Sequence, residues 1–289
     1  MSFQNAFLGS LVADAISMPV HWYYDTQALD DDYGIITGYL PPKKTHPNSI
    51  LWRSVYNPKS NNSDILHAQK KYWGRRNIHY HQHLQSGENT LNLQLACELY
   101  RHIIFTGDFQ VEHWLRRYVE VMLTPGWHND TYAEEYHRSF FTNYSKGKPL
   151  MSCGAMDYHI GALSLIPALL AGLEAVGHDD NAYQLECALA LVRSTHEHPS
   201  SLRAAADLTR ILIHLSNGFG IRETIMQLPI PGVSIKNLKK WEKLDDRQVV
   251  GEILSPACYL PESFLASLYF TWKYHDDLSQ AVISNATAG

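Results

Sequence analysis

The sequence predicts an all-α protein, on two observations. Almost every periodic stretch of the 289-residue chain repeats its apolar residues at helical spacing rather than alternating as a strand does. Helix start and stop residues also stand at the ends of those stretches.

The first helix is expected from about Phe3 to Ser17, with Phe7, Leu8, Leu11, Val12 and Ala15 on one stripe and Pro19 closing it. Its polar exception is Asp14. From Trp22 to Tyr80 the periodicity fails, with Pro41, Pro42, Pro47 and Pro58 scattered among Tyr and Asn. That segment reads as a long irregular excursion with short helices at most, and long loops are uncommon unless they serve a function. A helix from about Thr90 to Phe105 buries Leu91, Leu95, Ala96, Leu99 and Ile103, and Asp108 is the expected cap of the next, which reaches Met122. A stretch rich in histidine and aromatics, from Trp127 through Phe141, leads to a turn near Lys146 to Pro149. The most apolar helix follows from His159 to Val176, with apolar residues surrounding its axis as in a central core helix. Two helices, about Ala182 to Arg193 and Pro199 to Ser216, flank the loop Ser194 to His198, and Pro199 fits a first helical position. Weaker segments fill Ile221 to Glu252, and helices near Glu262 to Lys273 and Asp277 to Asn285 close the chain.

With 45% hydrophobic residues the chain can bury a large core, and no linker or internal repeat divides it. A net charge of -5 and the lack of a basic tract argue against nucleic acid. No stretch reaches the ~18 apolar residues of a membrane span, and the first residues carry no charged n-region, so a cytoplasmic protein without a membrane partner is expected. Cys97, Cys153, Cys187 and Cys258 lie far apart in apolar helical patterns and are expected to be reduced.

Several clusters could carry chemistry. In Ser86-Gly87-Glu88-Asn89-Thr90-Leu91-Asn92 a carboxylate, an amide and a hydroxyl meet where a helix begins. Oxygen ligands so placed suit Mg²⁺ or Ca²⁺, although for these residues alone a helix cap is the simpler reading. Asp14 sits in an apolar helix with His21 just past its end. A buried carboxylate there either accepts backbone N–H bonds from a neighbouring loop or touches a ligand. Ser152-Cys153-Gly154-Ala155-Met156 is a small-residue stretch suited to holding a phosphate on backbone N–H groups. Thr195-His196-Glu197-His198-Pro199 places two histidines before a helix start. His79-Tyr80-His81-Gln82-His83, if extended, would set three imidazoles on one face as in zinc or nickel sites. No cysteine or second histidine pair lies nearby, so aromatic loop packing is the expectation there.

In chain order these motifs resemble those of the ADP-ribosylglycohydrolases, within them the branch related to jellyfish lens crystallins of the J type. Ala13 to His21 follows the spacing of that family's G-D-A-x-G-x-P-x-E, Gly87-Glu88-Asn89-Thr90 its T-D-D-T, Ser152 to Asp157 its N-G-A-A-M-R loop, and Thr195 to Pro199 its T-H-x-x-P stretch. The crystallin-like branch is suggested by Gly126 to Tyr132 and Trp272 to Asp277. The resemblance spans nearly the whole chain. It implies a single domain over 1–289, an orthogonal bundle of about a dozen helices with Mg²⁺ in a central cleft, and cleavage of a glycosidic bond between ADP-ribose and a protein or small-molecule acceptor.

Carried over residue by residue, it makes His21 and Glu88 catalytic, Glu88, Asn89 and Thr90 metal ligands, and Asp14, Ser152, Cys153, Gly154 and His196 substrate-binding. The departures cut against the metal. His21 replaces a glutamate, Gly87 a threonine, Glu88 and Asn89 two aspartates, and Asp157 an arginine. Fewer charged ligands hold Mg²⁺ more weakly or not at all. The chain also stops at Asn285-Ala286-Thr287-Ala288-Gly289, where the family continues into a second acidic motif, so a C-terminally truncated domain is expected. A hydrolase is the leading reading; a noncatalytic ADP-ribose or nucleotide binder and a structural, crystallin-like protein are the alternatives.

Overall fold

Twelve α-helices and no β-strand are found among residues 2–289, the part of the chain that the computed structural model describes; the only bridges are isolated ones. The helices are α1 (Phe3–Ser17), α2 (Thr26–Tyr33), α3 (Leu91–Thr106), α4 (Val111–Met122), α5 (Glu135–Ser145), α6 (Ile166–Ala175), α7 (Asn181–Arg193), α8 (Pro199–Ser216), α9 (Ile221–Gln227), α10 (Ile235–Trp241), α11 (Glu262–Lys273) and α12 (Leu278–Ala288). The all-α bundle expected from the periodicity is what the chain forms.

Helix α6 is the axis. Ile166 and Ala168 to Leu173 are all buried, and α1, α3, α7 and α8 pack around them. Gly172 lets α3 come close, since a Cβ there would meet Ile103 at 3.0 Å. One core cluster joins α1, α6, α8 and α11, a second joins α3, α4, α5 and α7, and a third, with Ile16, Tyr23, Leu29 and Val282, seats α2 between α1 and α12. Arg247 fastens that corner, donating to both oxygens of Asp30 at 2.7 and 2.6 Å and to Thr287 O.

The structure corrects three expectations. Leu8 and Val12 of α1 are exposed, and the buried line runs through Phe3, Phe7 and, at the same helical spacing, Asp14, which therefore faces inward. The helix expected from His159 to Val176 is a 3₁₀ turn at Ile160–Leu163 followed by α6, because Pro167 has no N–H to donate and would clash with the carbonyl of Leu163 in a continuous helix. Asp108 does not cap α4, whose N-cap is Gln110; its carboxylate is drawn away by the Tyr183 hydroxyl at 2.5 Å. The segment around Phe141, to which the sequence pattern gives no element, is a regular helix, α5, whose buried Tyr136, His137, Phe140 and Phe141 form a stripe that its mixed polarity obscures. All four cysteines are free thiols, as expected. Among the described residues no helix is long and apolar enough to cross a membrane.

Candidate active site

The site forms where the ends of α1, α3 and α5 meet. Asp14 accepts three hydrogen bonds across that junction: from Thr90 N at 2.8 Å, from Thr90 Oγ1 at 2.7 Å and from Asn89 Nδ2 at 3.0 Å. The Asn89 amide also donates to Leu11 O at 2.7 Å. Thr90 is the N-cap residue of α3, yet its hydroxyl makes no cap bond within the helix. Asp14 supplies the acceptor from another helix, satisfying an N–H that the helix start leaves open. Burial pushes the Asp14 carboxyl up, and the bonds from Thr90 and Asn89 oppose that shift.

Pro19 ends α1 in a 3₁₀ turn, Met18–Val20, which presents His21. His21 Nδ1 faces His81 Nε2 at 2.9 Å, and His81 Nδ1 lies 2.5 Å from Asp130 Oδ1. The second oxygen of Asp130, which is fully buried, accepts from Leu91 N at 2.5 Å. His79 and His46 hold the backbone on either side of His21, through Pro19 O at 2.9 Å and His21 O at 3.3 Å. Burial and the neighbouring His81 and His79 hold His21 well below its ordinary range. His81 is raised: burial opposes its charged form, but the Asp130 carboxylate beside it prevails.

The HxHxH run is a turn rather than an extended segment. Its histidines part company: His79 accepts from His81 N through Nδ1 and donates to Pro19 O, His81 joins Asp130 to His21, and His83 is exposed against Tyr72.

Glu134, the N-cap residue of α5, completes the floor and is only 8% exposed. Asn92 Nδ2 donates to its Oε1 at 2.9 Å, while Asn92 Oδ1 is fixed by the Tyr136 hydroxyl at 2.6 Å and by His137 Nε2 at 3.1 Å. Burial pushes the Glu134 carboxyl up to about 7. Asp14, His21, His81, Asp130 and Glu134 line an inner pocket of about 70 Å³. Trp22, Tyr132 and Glu134 also line a cleft of about 540 Å³, with Tyr80, Tyr158, Tyr259, Arg53, Glu135 and Asp157 among its other walls. Cavities of that size and aromatic character are typical small-molecule sites. Trp22 adopts the left-handed φ of 62°, uncommon for a bulky residue, with Tyr80 and Tyr132 edge-on to its ring at 4.6 and 5.2 Å.

The other sequence candidates lie elsewhere. Glu88 is exposed, accepts from Gln85 N within its own turn at 2.8 Å, and lines a different, open cavity with Arg101 and Trp127. The N–H groups of Ser152, Cys153 and Ala155 are taken by Pro149 O, Leu150 O and Thr195 O, so this stretch is no open phosphate cradle. Gly154 serves packing, since a Cβ there would meet Ser194 O at 3.0 Å. Cys153 is buried in the core, and only the stretch from Met156 onward reaches the cleft. His196 is buried against Tyr136, and its Nε2 finds no partner beside an internal cavity of about 30 Å³. Of the predicted residues, then, His21 and Asp14 share the inner pocket with Thr90, and the rest do not.

These side chains do not fit a Mg²⁺ cage. Asp14 is occupied by three donors, Asn89 turns its NH₂ rather than its oxygen toward it, and Asp130 is bound to His81 and Leu91. A hard cation needs several convergent oxygens, and among the described residues no group of three or more His, Cys, Asp or Glu side chains is disposed to hold a metal ion. Sequence reasoning missed Asp130 and Glu134, although both fall in the segment it flagged as rich in histidine and aromatics. Two acids four apart ahead of a helix were the available signal. A family model described as ADP-ribosylglycohydrolase matches residues 2–289. No curated protein matches the chain.

Proposed function

The chain belongs to the ADP-ribosylglycohydrolase family, and from that premise we propose that it hydrolyses a glycosidic bond between ADP-ribose and a protein or small-molecule acceptor. The observation that carries this reading is the position of Glu134. It lines both the aromatic cleft and the inner pocket, with a carboxyl that burial holds near 7 and that is therefore still partly protonated at neutral pH. A general acid is most effective with its pKa near the working pH.

In this reading Glu134 gives its proton to the leaving atom of the acceptor as the glycosidic bond breaks and the bonding pair departs with that atom. A water in the inner pocket attacks the anomeric carbon and loses a proton to His21, whose ring lines the same pocket. Glu134 takes the part that the sequence suggested for Glu88, because Glu88 faces another cavity. Arg53 supplies positive charge for the diphosphate from the cleft wall, and the faces of Trp22, Tyr80 and Tyr132 supply apolar contact for the sugar and base. No step is assigned to Mg²⁺; loss of the cation is part of this proposal, supported by the donor set described above. The affinity to the crystallin-like branch belongs to the same proposal and rests on the segments Gly126 to Tyr132 and Trp272 to Asp277.

The test is release of ADP-ribose, followed by mass spectrometry, from peptides carrying it on arginine or on serine. Release that is abolished in Glu134→Gln and in His21→Ala is the expected result, and release surviving both changes would refute the residue roles. Calorimetric binding of ADP-ribose without release would favour the binder, and neither binding nor release the structural, crystallin-like reading.

A further inference from the structure

Asp130, His81 and His21 are joined end to end, and the backbone dictates which way their protons point. Leu91 N can only donate, so it claims Asp130 Oδ2 as an acceptor and leaves Oδ1 to accept from His81 Nδ1. His81 therefore carries a proton on Nδ1 and meets His21 Nδ1 with its Nε2. The His81 ring is held in place, because it is buried and its two nitrogens are engaged by Asp130 and His21. His21 is held by the carbonyl contacts of its turn, and its Nε2 has no partner among the described residues. That nitrogen belongs to a ring lining the pocket shared with Glu134.

We infer that Asp130 and His81 are positioning residues of a proton relay, which fixes the tautomer of His21 and takes up the proton His21 draws from water. The inference rests on the hydrolase reading above. In the resting base form His21 Nδ1 donates to His81 Nε2, leaving His21 Nε2 with its lone pair free. When water attacks, its proton bonds to His21 Nε2 and the proton on His21 Nδ1 passes to His81 Nε2. The outcome is neutral His21 and a His81 imidazolium held against the Asp130 carboxylate. No net charge remains on His21, and no cation is required to make water nucleophilic. The groups facing His81 favour that end state: Asp130, Asp14 and Glu134 are carboxyl groups, against which stand the imidazoles of His79 and His21.

Asp130→Asn tests the relay. Leu91 N keeps the amide oxygen, so the new NH₂ faces His81 Nδ1 and forces it to accept. His81 Nε2 then carries the proton, His21 Nδ1 accepts it, and His21 Nε2 is protonated and useless as a base. Nitrogen NMR of the labelled full-length protein, at a pH above the titration of the pair, should show His21 as the Nδ1–H tautomer in the wild type and Nε2–H in Asp130→Asn. Hydrolysis of the two ADP-ribosyl peptides should fall on the order of a thousandfold or more, as when the wrong tautomer is imposed on a serine-protease triad. His81→Gln should lower hydrolysis comparably, and His83→Gln, exposed in the same motif, should leave it unchanged. An Nε2–H His21 in the wild type overturns the relay, even where Asp130→Asn does not fold, and so does a tautomer that Asp130→Asn leaves unaltered. Absence of hydrolysis by a wild type with the expected tautomers would instead overturn the hydrolase reading.

Discussion

Replacing Glu134 by glutamine should make the fold more stable at alkaline pH while it removes turnover. The buried carboxyl titrates at about 7 in the folded protein, against an ordinary 4.5. Between those values the native state binds more protons than the unfolded chain, so stability is greatest below pH 4.5 and is lost as pH rises through 7. At about 1.4 kcal/mol per pH unit, that interval amounts to about 3 kcal/mol at pH 8 and to under about 1 kcal/mol at pH 5. Glutamine keeps an oxygen for Asn92 Nδ2 and has no charge to desolvate. Urea unfolding followed by tryptophan fluorescence should therefore find Glu134→Gln more stable than the wild type by about 3 kcal/mol at pH 8, converging toward it at pH 5. At roughly 2 °C per kcal/mol for a chain of this size, the melting temperature at pH 8 should rise by about 6 °C. A difference between the two proteins that does not change with pH would refute the reasoning, since it would show that the carboxyl titrates alike in the folded and unfolded chains.

Other perturbations probe the surrounding structure. The rate should fall above about pH 7 as Glu134 ionises, and that alkaline limb should move in Glu134→Asp. Asp14→Ala should cost about 2–4 kcal/mol in urea unfolding, because it strips Thr90 and Asn89 of a buried charged acceptor at the start of α3. Gly154→Ala should cost about 1–3 kcal/mol by driving a methyl group against Ser194 O and Arg193 O. A cation at a hundredfold over its Kd would stabilise the fold by about 2.7 kcal/mol. Thermal melts with millimolar Mg²⁺ or with EDTA should coincide, and a Mg²⁺-dependent rise that disappears in Asp14→Asn would reinstate the cage.

The site was half legible. His21 and Asp14 could be picked out because each breaks a local rule, Asp14 by its place on an apolar helix and His21 by following the proline that stops it. Glu88 was misplaced for a reason of geometry. In the turn before α3 Glu88 faces solvent, while the next two residues, Asn89 and Thr90, turn inward to Asp14. His81 was visible only as one of three spaced histidines, and nothing local tells which of them meets an acid 49 residues later. The phosphate-loop expectation for Ser152 to Gly154 failed on a similar point. Whether small residues lie open to a ligand or dock on another loop depends on what packs there, and here Thr195 O takes the N–H of Ala155.

By itself the sequence determined the all-α class and several of the helices. Their apolar period, proline stops and cap residues are short-range properties, and the bounds expected for α1, α8 and α11 are those observed. It also determined the family, whose model matches residues 2–289. The tertiary structure alone decided which titratable groups converge. Asp130, His81, His21 and Glu134 come together because α6 draws α1 and α3 onto one core while α5 packs against α3 in another. The same packing removes water from Glu134 and lifts its carboxyl to about 7. Desolvation is a property of everything packed around a group, so no local stretch of sequence encodes it.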